Sequence, residues 1–290
     1  MKALAVGLGA VAVCACGAAA QLTAYGITNT NRLVSFDVAS PGVALSDVAV
    51  SGLMAGETLL GIDARPASVT GELVVVTSAN RLMSLSFGGA ATPIGTGFSP
   101  SLATQTLGID FNPTVDRVRV VHSDGSNRRL NPVTGANAAS DTALTYNDGS
   151  GLVPRAVGTA YNAFQFGATA PMGSVRQFII DSARDILGEV GSQAGGNASF
   201  NGGVVTPIGA LGIDINDQAG FDIYGPTQEA FISTWHGTTA ACFYRLNLAT
   251  GVATDVGALC APITDFAIVP TPGVAGVLGI GGVLAMRRRR

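Results

Sequence analysis

Histidine occurs twice and tryptophan once in 290 residues, and only 12 % of the chain is charged. His122 and His236 lie far apart in sequence, so neither a histidine-rich metal centre nor a histidine relay is supplied. No Gly-x-Ser-x-Gly elbow, phosphate-binding loop, His-Glu-x-x-His pair or dinucleotide fingerprint is present. Low charge beside 47 % apolar residues excludes a disordered chain, while 39 Gly and 13 Pro argue against a helical one. Cysteine is scarce as well. Two of its four copies, Cys14 and Cys16, fall in the first 20 residues, which excludes a disulfide-dense scaffold.

What is present begins at the two ends. "MKALAVGLGAVAVCACGAAA" has a basic Lys2, an apolar run from Ala3 to Val13 and a small-residue stretch at Ala18 to Ala20, the three parts of a secretory signal. Residues 1–20 are expected to be a signal peptide, and neither Cys14 nor Cys16 follows a good lipobox. At the other end, residues 270–290 combine a Pro-rich entry, an apolar segment from Gly273 to Met286 and the cluster Arg287 to Arg290. That apolar segment is shorter than the roughly 20 residues a stable span requires, so transient anchoring held by the arginines is expected. The tail resembles the PEP-CTERM sorting signal of Gram-negative bacteria, with Thr271 standing where Glu usually separates the prolines. The resemblance implies cutting by an exosortase-type enzyme and a destination at the cell surface, in the extracellular matrix or in the periplasm.

Between the ends, residues 21–269 hold 11 basic against 19 acidic side chains, a net charge of about −8. A nucleic-acid partner is disfavoured on that balance. Gly-Ile-Asp occurs at Gly61, Gly108 and Gly212, with "GTAY" at Gly158 and "ITDFAI" at Ile263 as degenerate copies, a period near 50 residues. A second landmark follows in each unit: "NRLMSLSF" at 80, "NRRLNPVTG" at 127, "ARDILGEV" at 183 and "FYRLNLATG" at 243. The last unit lacks its second half, and the missing piece, "AYGITNTNRLVSFDV", stands at the N-terminal end of the body. Such a repeat of several short strands predicts an all-β propeller of five four-stranded blades, closed by pairing of the N- and C-terminal strands. In the second unit the strands are read as "TLGIDF", "RVRVVHS", "RRLNP" and a last run near "TALTY". Thr134-Gly135 and Thr250-Gly251 are hairpin turns, and "GSQAGGNASFNGG" is a long insertion.

"YGITNTNRLVSFDV", "GETLLGID", "GIDFNPTVDRVRVV" and "NRRLNPVTGANAASDTALTY" together resemble an uncharacterised bacterial exported family, domain of unknown function 4394, over most of residues 22–269. The resemblance implies export and brings no activity, ligand or catalytic residue.

Candidate sites come from the residues themselves. Asp63, Asp110, Asp214 and Asp265 occupy the repeat and would form a ring of acids on equivalent strands. Paired carboxylates suit acid and base roles on a glycosidic bond, and a ring of oxygens suits a cation such as calcium. Capping of turns and strand ends is the structural alternative, and "DINDQAGFD" lacks the central Gly and closing Glu of a calcium loop. No other cofactor is indicated. Cys242 and Cys260 flank two alternating runs joined at Gly251, and a hairpin centred there would set them opposite each other as a disulfide. Trp235 reads as packing between blades, or as a sugar-stacking ring at the rim. Arg128 and Arg129, near Asp124, read as a solvated turn. The expected function is a secreted, non-catalytic module that binds extracellular polysaccharide or an envelope component. The alternative is a carbohydrate-active hydrolase or lyase using the channel acids.

Overall fold

Runs of Val, Ile, Leu and Phe broken by Asn, Gly and Pro become 21 short strands in the computed structural model, which describes residues 22–68, 72–102, 106–163, 175–191, 199–237 and 241–270. The described body, Leu22–Val269, is one compact unit. The expected signal peptide and the apolar and arginine parts of the tail lie outside the described residues.

Five antiparallel sheets follow one another along the chain. The first holds β1 (Leu22–Thr28), β2 (Arg32–Asp37) and β3 (Ser40–Ala49). The second runs β4 (Leu59–Ala64), β5 (Leu73–Thr77), β6 (Leu82–Leu85) and β7 (Ala91–Ile94). The third runs β8 (Leu107–Asn112), β9 (Arg117–His122), β10 (Asn127–Leu130) and β11 (Asn137–Ser140). After the two-residue β12 (Thr145–Tyr146) comes the fourth, β13 (Ala156–Tyr161), β14 (Gln177–Asp181), β15 (Ile186–Val190) and β16 (Val204–Ala210). The fifth runs β17 (Ala219–Tyr224), β18 (Glu229–Thr234), β19 (Cys242–Leu246) and β20 (Ala253–Ala258). Finally β21 (Ile263–Pro270) joins the first sheet beside β1, which is the predicted closure.

Two assignments change. The fourth strand of the third blade is β11, and "TALTY" instead supplies β12, which pairs parallel with β16 and gives the fourth blade a fifth strand. The Gly-Ile-Asp at 212 precedes its blade's inner strand, which is β17 with Gly220-Phe221-Asp222 in place of the triplet.

Because each sheet is apolar on both faces, the core consists of layers between neighbouring blades. Ile27, Leu33, Ile62 and Val75 fill the layer between the first and second blades, and Val76, Ile109, Phe111 and Val120 the next. The layer that closes the ring is aromatic: Phe243 packs on Phe36, Phe231 and Phe266 with ring centroids 5.2–5.4 Å apart. Such ring pairs contribute about 0.5–1.5 kcal/mol each beyond their buried area.

Polar turn residues fasten one blade to the next. Asn31, Asn80 and Asp185 sit at the turn between the second and third strands of their blades with φ of 55°, 58° and 50°. Each offers two acceptors to the chain that leads onward. The backbone oxygens take N–H groups from Val50, Phe98 and Leu211. The side-chain oxygens take those of Leu59, Leu102 and Ile215 at 2.8–2.9 Å. Asn and Asp tolerate this left-handed geometry better than other side chains. The two Thr-Gly turns are built alike: Asn131 and Asn247 side chains accept N–H groups two and three residues on. Gly135 has a φ of +69°, and a Cβ there would stand 1.8 Å from the Ile94 oxygen of the preceding blade.

The expected disulfide is not formed. Cys242 pairs in register with Ala258, two residues short of Cys260. The turn is centred nearer the Thr250 side than assumed, and Cys260 lies past the strand end, where its N–H bonds Pro41 O of the first blade.

Candidate functional site

The inner strands carry the acids. Asp63, Asp110 and Asp265 are each 4 % exposed and Asp222, which stands where Asp214 was expected, is 8 % exposed. Ala160 takes the equivalent place on β13, so the fourth blade has no acid there. Side chains alternate along a strand, and these point sideways at the next blade. Asp63 accepts Phe111 N–H at 2.6 Å, Asp110 accepts Tyr161 N–H at 2.8 Å, Asp222 accepts Ile268 N–H at 2.6 Å and Asp265 accepts Ile62 N–H at 2.9 Å. Asp63 and Asp222 also accept the N–H of the residue that follows each of them. These carboxyls are struts between inner strands.

Their electrostatics agree with that role. Burial raises Asp222 to about 7 and lifts Asp63, Asp110 and Asp265 well above the usual carboxylate range. Repulsion among the four adds to burial for those three. Burial thus favours the protonated form in the ring, and a protonated carboxyl still accepts a backbone N–H through its carbonyl oxygen. Among the described residues no group of three or more His, Cys, Asp or Glu is arranged to hold a metal ion. Asp214 is not in the ring. Its side chain is 83 % exposed, 3.9 Å from His236.

The other sequence candidates are also redistributed. His122 is fully buried at the end of β9. Trp235 is half-buried against the aromatic layer. Arg128 is buried and donates to Pro100 O and Ser101 O. Arg129 pairs with both oxygens of Asp141, while Asp124 caps Ser126 N–H. Asp141 also takes Arg119 at 2.6 Å, and Arg119, with no exposed surface, further donates to Tyr161 Oη, Asn127 and Asn201. This polar network joins the third and fourth blades. Arg119, the second Arg of "RVRVV", carries no local signal of it.

A cavity of about 200 Å³ opens where the inner strands begin, and the sequence did not point to it. Its polar lining is Asn29 and Thr264 from the first blade, Thr58 from the second, Thr106 from the third, and Asp217 with Gln218 from the fifth. None of the four strut aspartates lines it. The fourth blade reaches Asp217 through Arg155, which grips both carboxylate oxygens, and Ser182 Oγ adds a bond of 3.1 Å. Arg155 lowers the Asp217 pKa, so that carboxyl stays ionised and its charge is matched. Leu60 supplies an apolar side.

Five radially packed sheets, an aromatic closing layer and a central mouth define a five-bladed β-propeller. The chain belongs to the family described as Domain of unknown function (DUF4394), which matches residues 32–267. No curated protein matches it. Similar solved structures include the dihydro-heme d1 dehydrogenase NirN in complex with DHE, at 13 % identity and TM-score 0.35, with 88 % of this chain and 44 % of that one covered. The Dos1 propeller gives 14 %, 0.38, 81 % and 58 % for the same four quantities. PorZ, an essential bacterial surface component of the type-IX secretion system of Porphyromonas gingivalis, gives 12 %, 0.37, 79 % and 27 %. The chain spans less than two thirds of the length of each.

Proposed function

We propose that this protein is an exported, non-catalytic propeller that binds extracellular polysaccharide or an envelope component. The observation that carries this reading is the engagement of the inner-strand acids. A glycosidase needs two carboxyls that converge on a cavity from opposite sides of a bond. Here each acid accepts a backbone N–H of the neighbouring inner strand, and the cavity is lined by other residues. The leader at 1–20 and the PEP-CTERM-like tail at 270–290 support export and processing by an exosortase-type enzyme in a Gram-negative envelope.

A glycan-array screen on the purified full chain, followed by product analysis of every hit, tests the reading. Binding without product is the expected result. Product release that disappears in Asp63→Asn or Asp110→Asn would overturn it in favour of a hydrolase or lyase.

A further inference from the structure

We propose that the cavity at the mouth of the channel is the ligand site, and that it takes an uncharged, hydroxyl-rich group such as one sugar residue at the end of a neutral glycan. This rests on the reading of the protein as a glycan-binding module and specifies where and what it binds.

Room comes first. One ordered water needs roughly 10–15 Å³ of such space. About 200 Å³ therefore admits a small ligand, while falling below the roughly 300 Å³ at which drug-sized pockets begin. A single ring fits that interval.

The chemistry of the lining narrows the class. The side-chain amides of Asn29 and Gln218 and the hydroxyl of Thr58 make no hydrogen bond among the described residues. Two amides and a hydroxyl offer both donors and acceptors, the pairing that vicinal hydroxyls require. By contrast, Thr264 Oγ1 is committed to Ile27 O at 3.2 Å and contributes shape. Of the lining side chains one is charged, and Asp217 spends that charge on Arg155. An acidic ligand would meet no unmatched cation in the lining, and a cationic one no unmatched carboxylate. Leu60 gives the C–H face of a ring an apolar surface on the wall. These three side chains come from the first, second and fifth blades, so the site exists only in the closed ring.

Calorimetric titration of the full chain with maltose, cellobiose and lactose, and with digalacturonate as the acidic probe, tests the assignment beside the array. The variants are Asn29→Ala/Gln218→Ala, Thr58→Val and the mouth-filling Gln218→Trp, with Val133→Ala on a distant exposed turn as control. Asn29 and Gln218 are exposed, so the double variant should melt within a few degrees of the parent. The expected result is binding of a neutral disaccharide, weakened about tenfold by the double variant as two net hydrogen bonds are lost. Gln218→Trp should abolish it. Neutral-glycan binding that the mouth variants leave unchanged would overturn this site and leave the module reading standing. Preference for digalacturonate would overturn the uncharged class. Absence of binding to every glycan, on array and in titration, would overturn both.

Discussion

A carboxyl that accepts a backbone N–H from the neighbouring strand does work that an amide oxygen can share. Asp63 accepts Ala64 N–H on Oδ1 and Phe111 N–H on Oδ2, so Asp63→Asn keeps one of the two bonds, turns its amide nitrogen on the other N–H and should cost about 1–2 kcal/mol at pH 7. Asp63→Ala strips an acceptor from two buried N–H groups and should cost about 3 kcal/mol. Urea unfolding of the three proteins separates these cases, and an Asn variant as stable as the parent would show that one of the two bonds is dispensable. Glu57 is the opposite kind of residue. It is 4 % exposed, and burial raises its pKa, but hydrogen bonds from Arg81, Thr77 Oγ1 and Met54 N–H, with the Arg81 charge, together outweigh that and hold it at about 2. For this residue Glu57→Gln is expected to be destabilising at pH 7, because the amide cannot match the guanidinium charge.

At the scale of the element, the corner residues and Thr-Gly turns fix where each blade meets the next. Asn80→Ala removes both the tolerance for φ of 58° and the acceptor for Leu102 N–H, with an expected loss of about 1–2 kcal/mol; Asn80→Gly should recover the first part. Gly135→Ala places a methyl against the Ile94 oxygen and should cost on the order of 3 kcal/mol. Thermal melts of the variants check both. The same elements show how far the chain can be read without coordinates. Period, blade number, ring closure and the turns at Gly135 and Gly251 were legible because apolar alternation and turn chemistry are local. The inner strand of the fifth blade was misplaced because the Gly-Ile-Asp at 212 matches the triplet while its loop precedes the strand. A usable signal was there: Asp63, Asp110 and Asp222 are followed within four residues by Pro66, Pro113 and Pro226, and Asp214 is not. Hairpin register misled the cysteine pairing, since the turn centre moved by about one residue and the partner by two. Nothing local announces the channel mouth, whose side chains lie on four blades and meet only after closure.

For the whole molecule, the two kinds of acid set opposite limbs of a pH profile. Raised carboxyls stabilise the fold fully below about pH 4, and that contribution is lost as pH rises through their folded pKa, about 7 for Asp222. Lowered carboxyls, Glu57 at about 2 with Asp141 and Asp217, stabilise it above about pH 4, and this is lost as pH falls toward 2. Stability should therefore peak near pH 4, and Asp222→Asn should lessen the slope of the alkaline limb, which that one group can tilt by about 4 kcal/mol between pH 4 and 8. Melting temperature across pH 3 to 9 reads both limbs, and a rise from pH 5 to 8 in the parent would contradict the proton-holding ring. The pairing of β21 with β1 bears on the order of events in folding. Thr264 and Ile27, which touch across that pair, are 237 residues apart in sequence. So distant a contact is slow to form, and every earlier blade must wait for the last strand before the circle can shut. Through that interval β1 presents a bare edge, an open template for strand addition. The strand that best fits that edge is β21 of the same chain or of another copy, so refolding at high concentration should favour strand-exchanged dimers, which size-exclusion chromatography of protein refolded at low and high concentration would reveal.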